Sequence, residues 1–285
     1  MKHVFFLIWL SLGLSVSSPA QGSLDPTPVV GARAAGLGYA YTAMHGDLWA
    51  IFANPAGIAG GEGWQLGTYY EQRFLLPELS LAYAGATVAL PGGQAAGIAL
   101  HVNQLGGWQQ GYAGAAYAIT LFDKLRLGVR AGYLQQAVDG YGQAGGIRLD
   151  AGAQVSLSQD LTLGFRVHNA TQLRLDAISG PVRWPAGYSV GLAYRPGEQV
   201  VIVADLVKSP ATPLGYRFGV EYAPNPWLFV RLGMAAAPGQ LAGEGMGPTA
   251  GLGIRWRQLQ VDFAGSHTRL LGYTPHLSLT YQLGA

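Results

Sequence analysis

From about residue 64 onward, apolar and polar positions alternate one by one. Leu125, Leu127, Val129, Ala131 and Tyr133 are apolar, and Lys124, Arg126, Gly128, Arg130 and Gly132 lie between them. Ile147, Leu149, Ala151, Ala153 and Val155 alternate with Arg148, Asp150, Gly152, Gln154 and Ser156, and Leu277, Leu279 and Tyr281 with Ser278, Thr280 and Gln282. Successive side chains of a strand point to opposite faces, so each segment has one apolar face and one polar or very small face. A helix would space its apolar residues by three and four, which these segments do not do. Counting them predicts roughly fourteen strands, starting near 64, 77, 94, 108, 124, 144, 160, 186, 198, 214, 226, 248, 258 and 275. Each is about ten residues long, enough to cross a bilayer when tilted.

The connections predict how the strands are arranged. Gly92-Gly93, Leu121-Phe122-Asp123, Ser158-Gln159, Arg195-Pro196-Gly197 and Pro224-Asn225-Pro226 read as tight turns. Residues 105–107, 139–143, 171–185, 209–213, 238–247 and 268–274 read as longer loops that alternate with them. That layout predicts a transmembrane antiparallel β-barrel. Composition separates this from a soluble β-sandwich. Only 11% of the 285 residues are charged and 49% are hydrophobic, so the charge that keeps a sandwich soluble is missing. The polar faces are instead rich in glycine, of which the chain has 43. A net charge of +2 with no basic run gives no nucleic-acid footprint. Without cysteine there are no disulfides, thiolate metal sites or thiol nucleophiles.

The N-terminus reads as an export signal. Met1-Lys2-His3 precedes the apolar run from Val4 to Val16, and Ser18-Pro19-Ala20 supplies a small-x-small cleavage pattern. The run is too short for a membrane span, which needs roughly 20 apolar residues. Residues 1–20 are therefore expected to be a signal peptide, 21–63 a separate N-terminal unit and 64–285 the barrel. In that unit Asp47 sits at the N-cap position of a short helix, its carboxylate able to accept a free backbone N–H. Pro55 ends that helix, because the residue before a proline is pushed out of the helical region. A small apolar unit placed before the first strand has one sheltered destination, the barrel lumen. A short N-terminal helical plug is expected there.

Gly31-Ala32-Arg33-Ala34-Ala35-Gly36-Leu37-Gly38, then Asp47, then Asn54-Pro55-Ala56-Gly57, resembles the N-terminal signature of the PorV/PorQ proteins. These belong to the FadL-like superfamily of long-chain fatty-acid transporter barrels. The resemblance implies an outer-membrane barrel of fourteen strands with a hatch inside. It also implies either passage of hydrophobic small molecules or service as an accessory subunit of type IX protein secretion. Gly31, Arg33, Gly36, Gly38, Asp47, Asn54, Pro55, Ala56 and Gly57 are the hatch residues it singles out.

The polar parity of the strands carries Arg126, Arg130, Arg148, Asp150, Arg166, His168, Asp205, Arg217, Glu221, Arg231, Arg255 and Asp262, expected to face the lumen. Charge is tolerated there, whereas on the lipid face it costs about 2–4 kcal/mol at mid-bilayer. These residues read either as ion pairs that stiffen the interior and hold the plug, or as a passage that attracts anions. Tyr69, Tyr70, Trp108, Tyr112, Trp184, Tyr188, Trp227 and Trp256 fall mostly near strand ends, where aromatic belts anchor a barrel; the alternative for some of them is filling the lumen. His101, His168, His267 and His276 lack metal-site spacing, and no serine lies in a nucleophile-elbow motif, so no metal, cofactor or enzyme activity is expected. Expected partners are outer-membrane lipid and either a hydrophobic ligand or secretion-machinery proteins.

Overall fold

The computed structural model describes residues 29–177, 180–210, 212–236 and 247–284. The signal-peptide reading of residues 1–20 lies outside the described residues. In chain order the strands are β1 (Trp64–Gln72), β2 (Leu79–Leu90), β3 (Gln94–Leu105), β4 (Trp108–Leu121), β5 (Leu125–Val138), β6 (Gly142–Ser156), β7 (Leu161–His168) and β8 (Arg174–Ala177). They continue with β9 (Gly180–Arg183), β10 (Gly187–Gly197), β11 (Val200–Ser209), β12 (Thr212–Asn225), β13 (Leu228–Ala236), β14 (Pro248–Trp256), β15 (Leu259–Thr268) and β16 (Gly272–Leu283). All but β8 and β9 form one closed barrel of fourteen strands, antiparallel throughout, with β16 returning to pair with β1. Closure matters because an open edge would leave backbone groups unpaired in lipid.

The alternating pattern resolves into two faces. Ile98, Leu100, Val102, Val129, Ile147, Leu232, Leu252 and Ile254 point outward and are exposed, giving the apolar exterior of a transmembrane barrel. The opposite parity faces the lumen and is buried. Eight strands can fill their interior with their own side chains, but fourteen enclose a wider space that something else must occupy. Residues 29–61 occupy it: α1 (Ala32–Gly36), α2 (Ala50–Ala53) and a 3-10 turn over Pro55–Gly60. The predicted plug is thus two short α-turns and a 3-10 turn rather than one helix. Leu37, Leu48, Trp49, Ile51 and Phe52 are buried in it, each contributing about 1.5–3 kcal/mol relative to exposure.

The glycine-rich inner face has a geometric cause. Gly67 pairs with Gly85, Gly128 with Gly152, Gly164 with Gly191 and Gly219 with Gly233 across neighbouring strands. A Cβ at Gly128 would meet the backbone of Pro55 and Ala56; one at Gly164, Thr42; one at Gly219 or Gly233, Leu37 and Gly38. The plug backbone runs directly against a girdle of bare wall, a close approach that glycine permits.

The two rims differ from the expected alternation. At the rim where β1 begins, the turns are short, as predicted. At the distal rim, 105–107, 139–143, 209–213 and 268–274 are not long loops: β3 runs to Leu105 and β4 starts at Trp108, and the other strands likewise extend into their turns. The barrel strands are 8 to 15 residues long, because the ladder continues beyond the apolar band. The loop expected over 238–247 lies almost wholly outside the described residues, and the 169–186 connection is long, as expected for 171–185. β7 stops at His168 and β10 starts at Gly187, so the wall is low there, while β6 continues past them. The connection fills that gap, holds the β8–β9 hairpin, and bonds to β6 through Ala170 N–H to the Leu149 carbonyl at 2.7 Å.

Candidate functional site

The candidate site is the interface between plug and lumen wall. Near the proximal rim, Arg33 on α1 donates from Nε and Nη2 to Glu221 on β12, at 2.9 and 2.6 Å, and from Nη1 to Asp47 at 2.9 Å. Burial works against the Arg33 charge, but Glu221 and Asp47 outweigh it and hold the guanidinium protonated above its usual range. Glu221 also accepts from Arg231 Nε at 2.5 Å, and Arg231 Nη1 donates to Asp262 at 2.7 Å. This network ties the plug to β12, β13 and β15 of the wall.

Asp47 caps as expected, its Oδ1 accepting from the N–H groups of Trp49 and Ala50 at 2.9 and 3.2 Å. Its other oxygen takes Arg33 and the Tyr41 hydroxyl, and burial with this contact pushes the Tyr41 hydroxyl up. Asn54 performs two tasks. Its Oδ1 accepts from Ala56 N–H at 3.2 Å, starting the 3-10 turn with Pro55 behind it, and its Nδ2 donates to the Thr42 carbonyl at 2.7 Å. Gly57 lies against the Met44 carbonyl, and Gly36 and Gly38 against β12 to β14. Gly31 has a φ of 109°, a left-handed backbone suited to glycine, and sits against Trp49.

The wall supplies polar groups to the plug backbone. Asp205 accepts from Tyr41 N–H at 2.9 Å and from Thr42 N–H and hydroxyl at 3.0 and 2.7 Å. Gln154 donates to the carbonyls of Thr42 and Met44, Arg217 to that of Tyr39, and Arg130 to that of Ile51 at 2.7 Å. Ser278 accepts from Ala32 N–H at 2.6 Å. Deeper along the lumen, Arg130, Arg148, Asp150, Arg166 and His168 form one cluster, none more than 3% exposed. Arg126 and Arg255 stay apart from it, half-buried and exposed respectively near the proximal rim. There, burial with Arg126, Arg195 and Arg33 nearby pushes the plug residue His45 down to about 3.

Sequence reasoning missed several participants. Tyr41, Thr42 and His45 lie between the quoted plug residues; Gln154 and Ser278 were visible only as polar positions on the lumen parity. The aromatic residues divide between the belt and the lumen. Tyr69 and Tyr112 are buried in the lumen, whereas Tyr70, Tyr188, Trp227 and Trp256 are exposed on the outside. Rings from adjacent strands form a band inside: Tyr69 to Tyr83 at 5.8 Å, Tyr83 to His101 at 4.8 Å and His101 to Tyr112 at 5.2 Å between centroids. Tyr69 also stacks on His276, whose Nε2 lies 3.0 Å from the Ser266 hydroxyl. On β1, parity sets Tyr69 with Gln65 and Glu71 on the inner face and Tyr70 with Leu66 on the outer one.

No protein-family model matches the chain, and no characterised protein matches it in sequence. Solved structures do match. The Ralstonia pickettii toluene transporter TbuX superposes with a TM-score of 0.70 at 14% identity, over 90% of this chain and 99% of that one. The Pseudomonas putida toluene transporter TodX gives 0.70 at 13%, over 91% and 100%. The monoaromatic hydrocarbon channel CymD gives 0.70 at 13%, over 90% and 98%. The chain has the fold of these channel barrels.

Proposed function

We propose that this protein is an outer-membrane channel that passes hydrophobic small molecules, gated by the plug. On this reading residues 1–20 export the chain, 21–63 form the gate and 64–285 the barrel, with the distal rim outside the cell. The observation that carries it is the plug itself. It fills a lumen whose wall is already closed by its own ladder, and it is held by hydrogen bonds and ion pairs to polar side chains rather than by strand pairing. Such contacts can exchange without breaking the barrel. The solved relatives in fold include proteins described as toluene transporters, which favours a hydrophobic cargo over an ion or sugar, and transport over catalysis.

The PorV/PorQ-like signature of residues 31–57 supports a second reading, in which the barrel conducts nothing and docks secreted cargo or a larger translocon. One experiment separates the two. The protein is extracted gently from its native outer membrane and its companions are identified by mass spectrometry. Bound hydrophobic molecules without protein partners are expected. A stoichiometric large barrel or secreted protein would replace the channel reading with the accessory one.

A further inference from the structure

Three arginines of lumen parity stand at the proximal mouth without an acidic partner. Arg126 on β5, Arg195 on β10 and Arg255 on β14 make no ion pair among the described residues. Arg126 Nη1 donates to the Ser156 hydroxyl at 3.2 Å, and its Nε is buried without a hydrogen-bond partner. Arg195 Nη2 lies 3.6 Å from the Met44 sulfur of the plug. Arg255 gives Nε and Nη2 to the Gln260 amide oxygen at 3.1 and 2.8 Å. Beside Arg126 and Arg195 stands His45 of the plug, whose ring burial and these two cations keep uncharged. Arg33, in the same mouth, is by contrast matched by Asp47 and Glu221.

Turns of opposite charge and one exposed ring surround these cations. Asp123, Asp160 and Glu198 lie on the β4–β5, β6–β7 and β10–β11 turns, exposed and likewise without an ion pair among the described residues. Phe122, on the β4–β5 turn, is 89% exposed and has a φ of 52°, a left-handed backbone that a bulky residue rarely takes. It shares the parity of the buried Ala118 and of Thr120, whose hydroxyl reaches the Ala59 carbonyl of the plug at 3.4 Å. The ring therefore continues the lumen face rather than the lipid face. Arg126, Arg195 and Arg255 stand three and four strands apart, about 14 and 19 Å along the wall at about 4.8 Å per strand. One small anion does not span that arc, nor does it cover a phenyl ring.

We infer that the proximal mouth docks a periplasmic protein projecting an acidic tip that carries an apolar side chain and is flanked by cations. The carboxylates of the tip meet Arg126 and Arg195, its apolar side chain packs on Phe122, and the flanking cations face Asp123, Asp160 and Glu198. The inference rests on the channel reading only for which rim faces the periplasm. Charge arranged in this way steers encounter and fixes register more than it adds affinity. A tip seated beside His45 touches plug and wall together, at the end of the lumen where a passing molecule leaves.

Three labelled peptides test this on the full barrel in phosphatidylcholine nanodiscs: hexa-aspartate, hexa-aspartate ending in phenylalanine, and hexa-lysine, each followed by fluorescence anisotropy. The aspartate peptides are expected to bind more tightly than hexa-lysine, and salt should weaken them by screening. Arg126→Gln and Arg195→Gln should each weaken that binding about tenfold, the scale of one charge-assisted hydrogen bond. Arg257→Gln, whose guanidinium lies over the outward-facing Trp256 ring, should leave it nearly unchanged. Phe122→Ser should remove the advantage of the phenylalanine-ended peptide and leave plain hexa-aspartate as before. Neither mouth arginine pairs with a carboxylate, so both variants should melt close to wild type. Equal binding of aspartate and lysine peptides would overturn the inference, as would binding that ignores both arginine substitutions. Displacement of hexa-aspartate by equimolar sulfate would reduce the mouth to a small-anion site and overturn it too. Toluene uptake into vesicles separates this claim from the channel: uptake without peptide binding removes the dock alone, and peptide binding without uptake removes the channel alone.

Discussion

At the residue scale, the interface depends on what each wall position lacks as much as on what it carries. Gly152 gives up a side chain so that the Asn54 amide can sit against β6. Gly152→Val is expected to displace that amide and destabilise the protein by about 1–3 kcal/mol, the usual cost of overpacking; urea unfolding measures it. Glu221→Gln acts by charge. It leaves Arg33 and the buried Arg231 short of their shared anion, and breaking such a pair costs about 3–5 kcal/mol. A variant as stable as wild type would show that the Arg33 contact does not anchor the plug. These partners stand 188 positions apart. Nothing in the local sequence links them, whereas the N-cap at Asp47 and the stop at Pro55 are legible because both act within a few residues.

At the scale of elements, the plug and the barrel wall are held by different forces. Every strand of the barrel is paired on both sides, and no part of residues 29–61 belongs to the ladder. Deleting residues 31–59 should therefore leave a folded barrel with a wide lumen, read as large, steady conductance in planar bilayers. A folded but closed deletion barrel would show that the plug is not what blocks the lumen. The strand starts near 64, 94, 108 and 248 coincide with β1, β3, β4 and β14, since side-chain parity is a local property. Loop length at the distal rim was not legible. Gly106-Gly107 looks like part of a loop in sequence but is a two-residue turn, because β3 and β4 pair up to Leu105 and Trp108.

For the whole molecule, pH tests whether plug burial is coupled to stability. His45 has its folded value lowered to about 3, against an ordinary value near 6.5. Between those values the unfolded chain binds a proton that the folded protein refuses, so stability rises with pH across this window. The folded state is expected to be at full strength above the ordinary value and to weaken as pH falls toward 3. Melting temperatures followed by tryptophan fluorescence should show this acid limb, and His45→Gln should make it shallower, the other buried histidines supplying the rest. An identical limb in the variant would assign the effect to other groups.

The sequence by itself determined the class of structure. Alternation with a period of two, an apolar exterior parity, little charge and a compact unit ahead of the first strand admit few folds besides a plugged membrane barrel, because lipid tolerates only closed sheets. Tertiary structure decided what depends on distance across the lumen. It placed the glycine girdle against the plug backbone, joined Tyr69, Tyr83, His101 and Tyr112 into one band of rings, and gathered three arginines from β5, β6 and β7 around one aspartate. Parity reports which face a side chain takes; only closure and register set what lies opposite it.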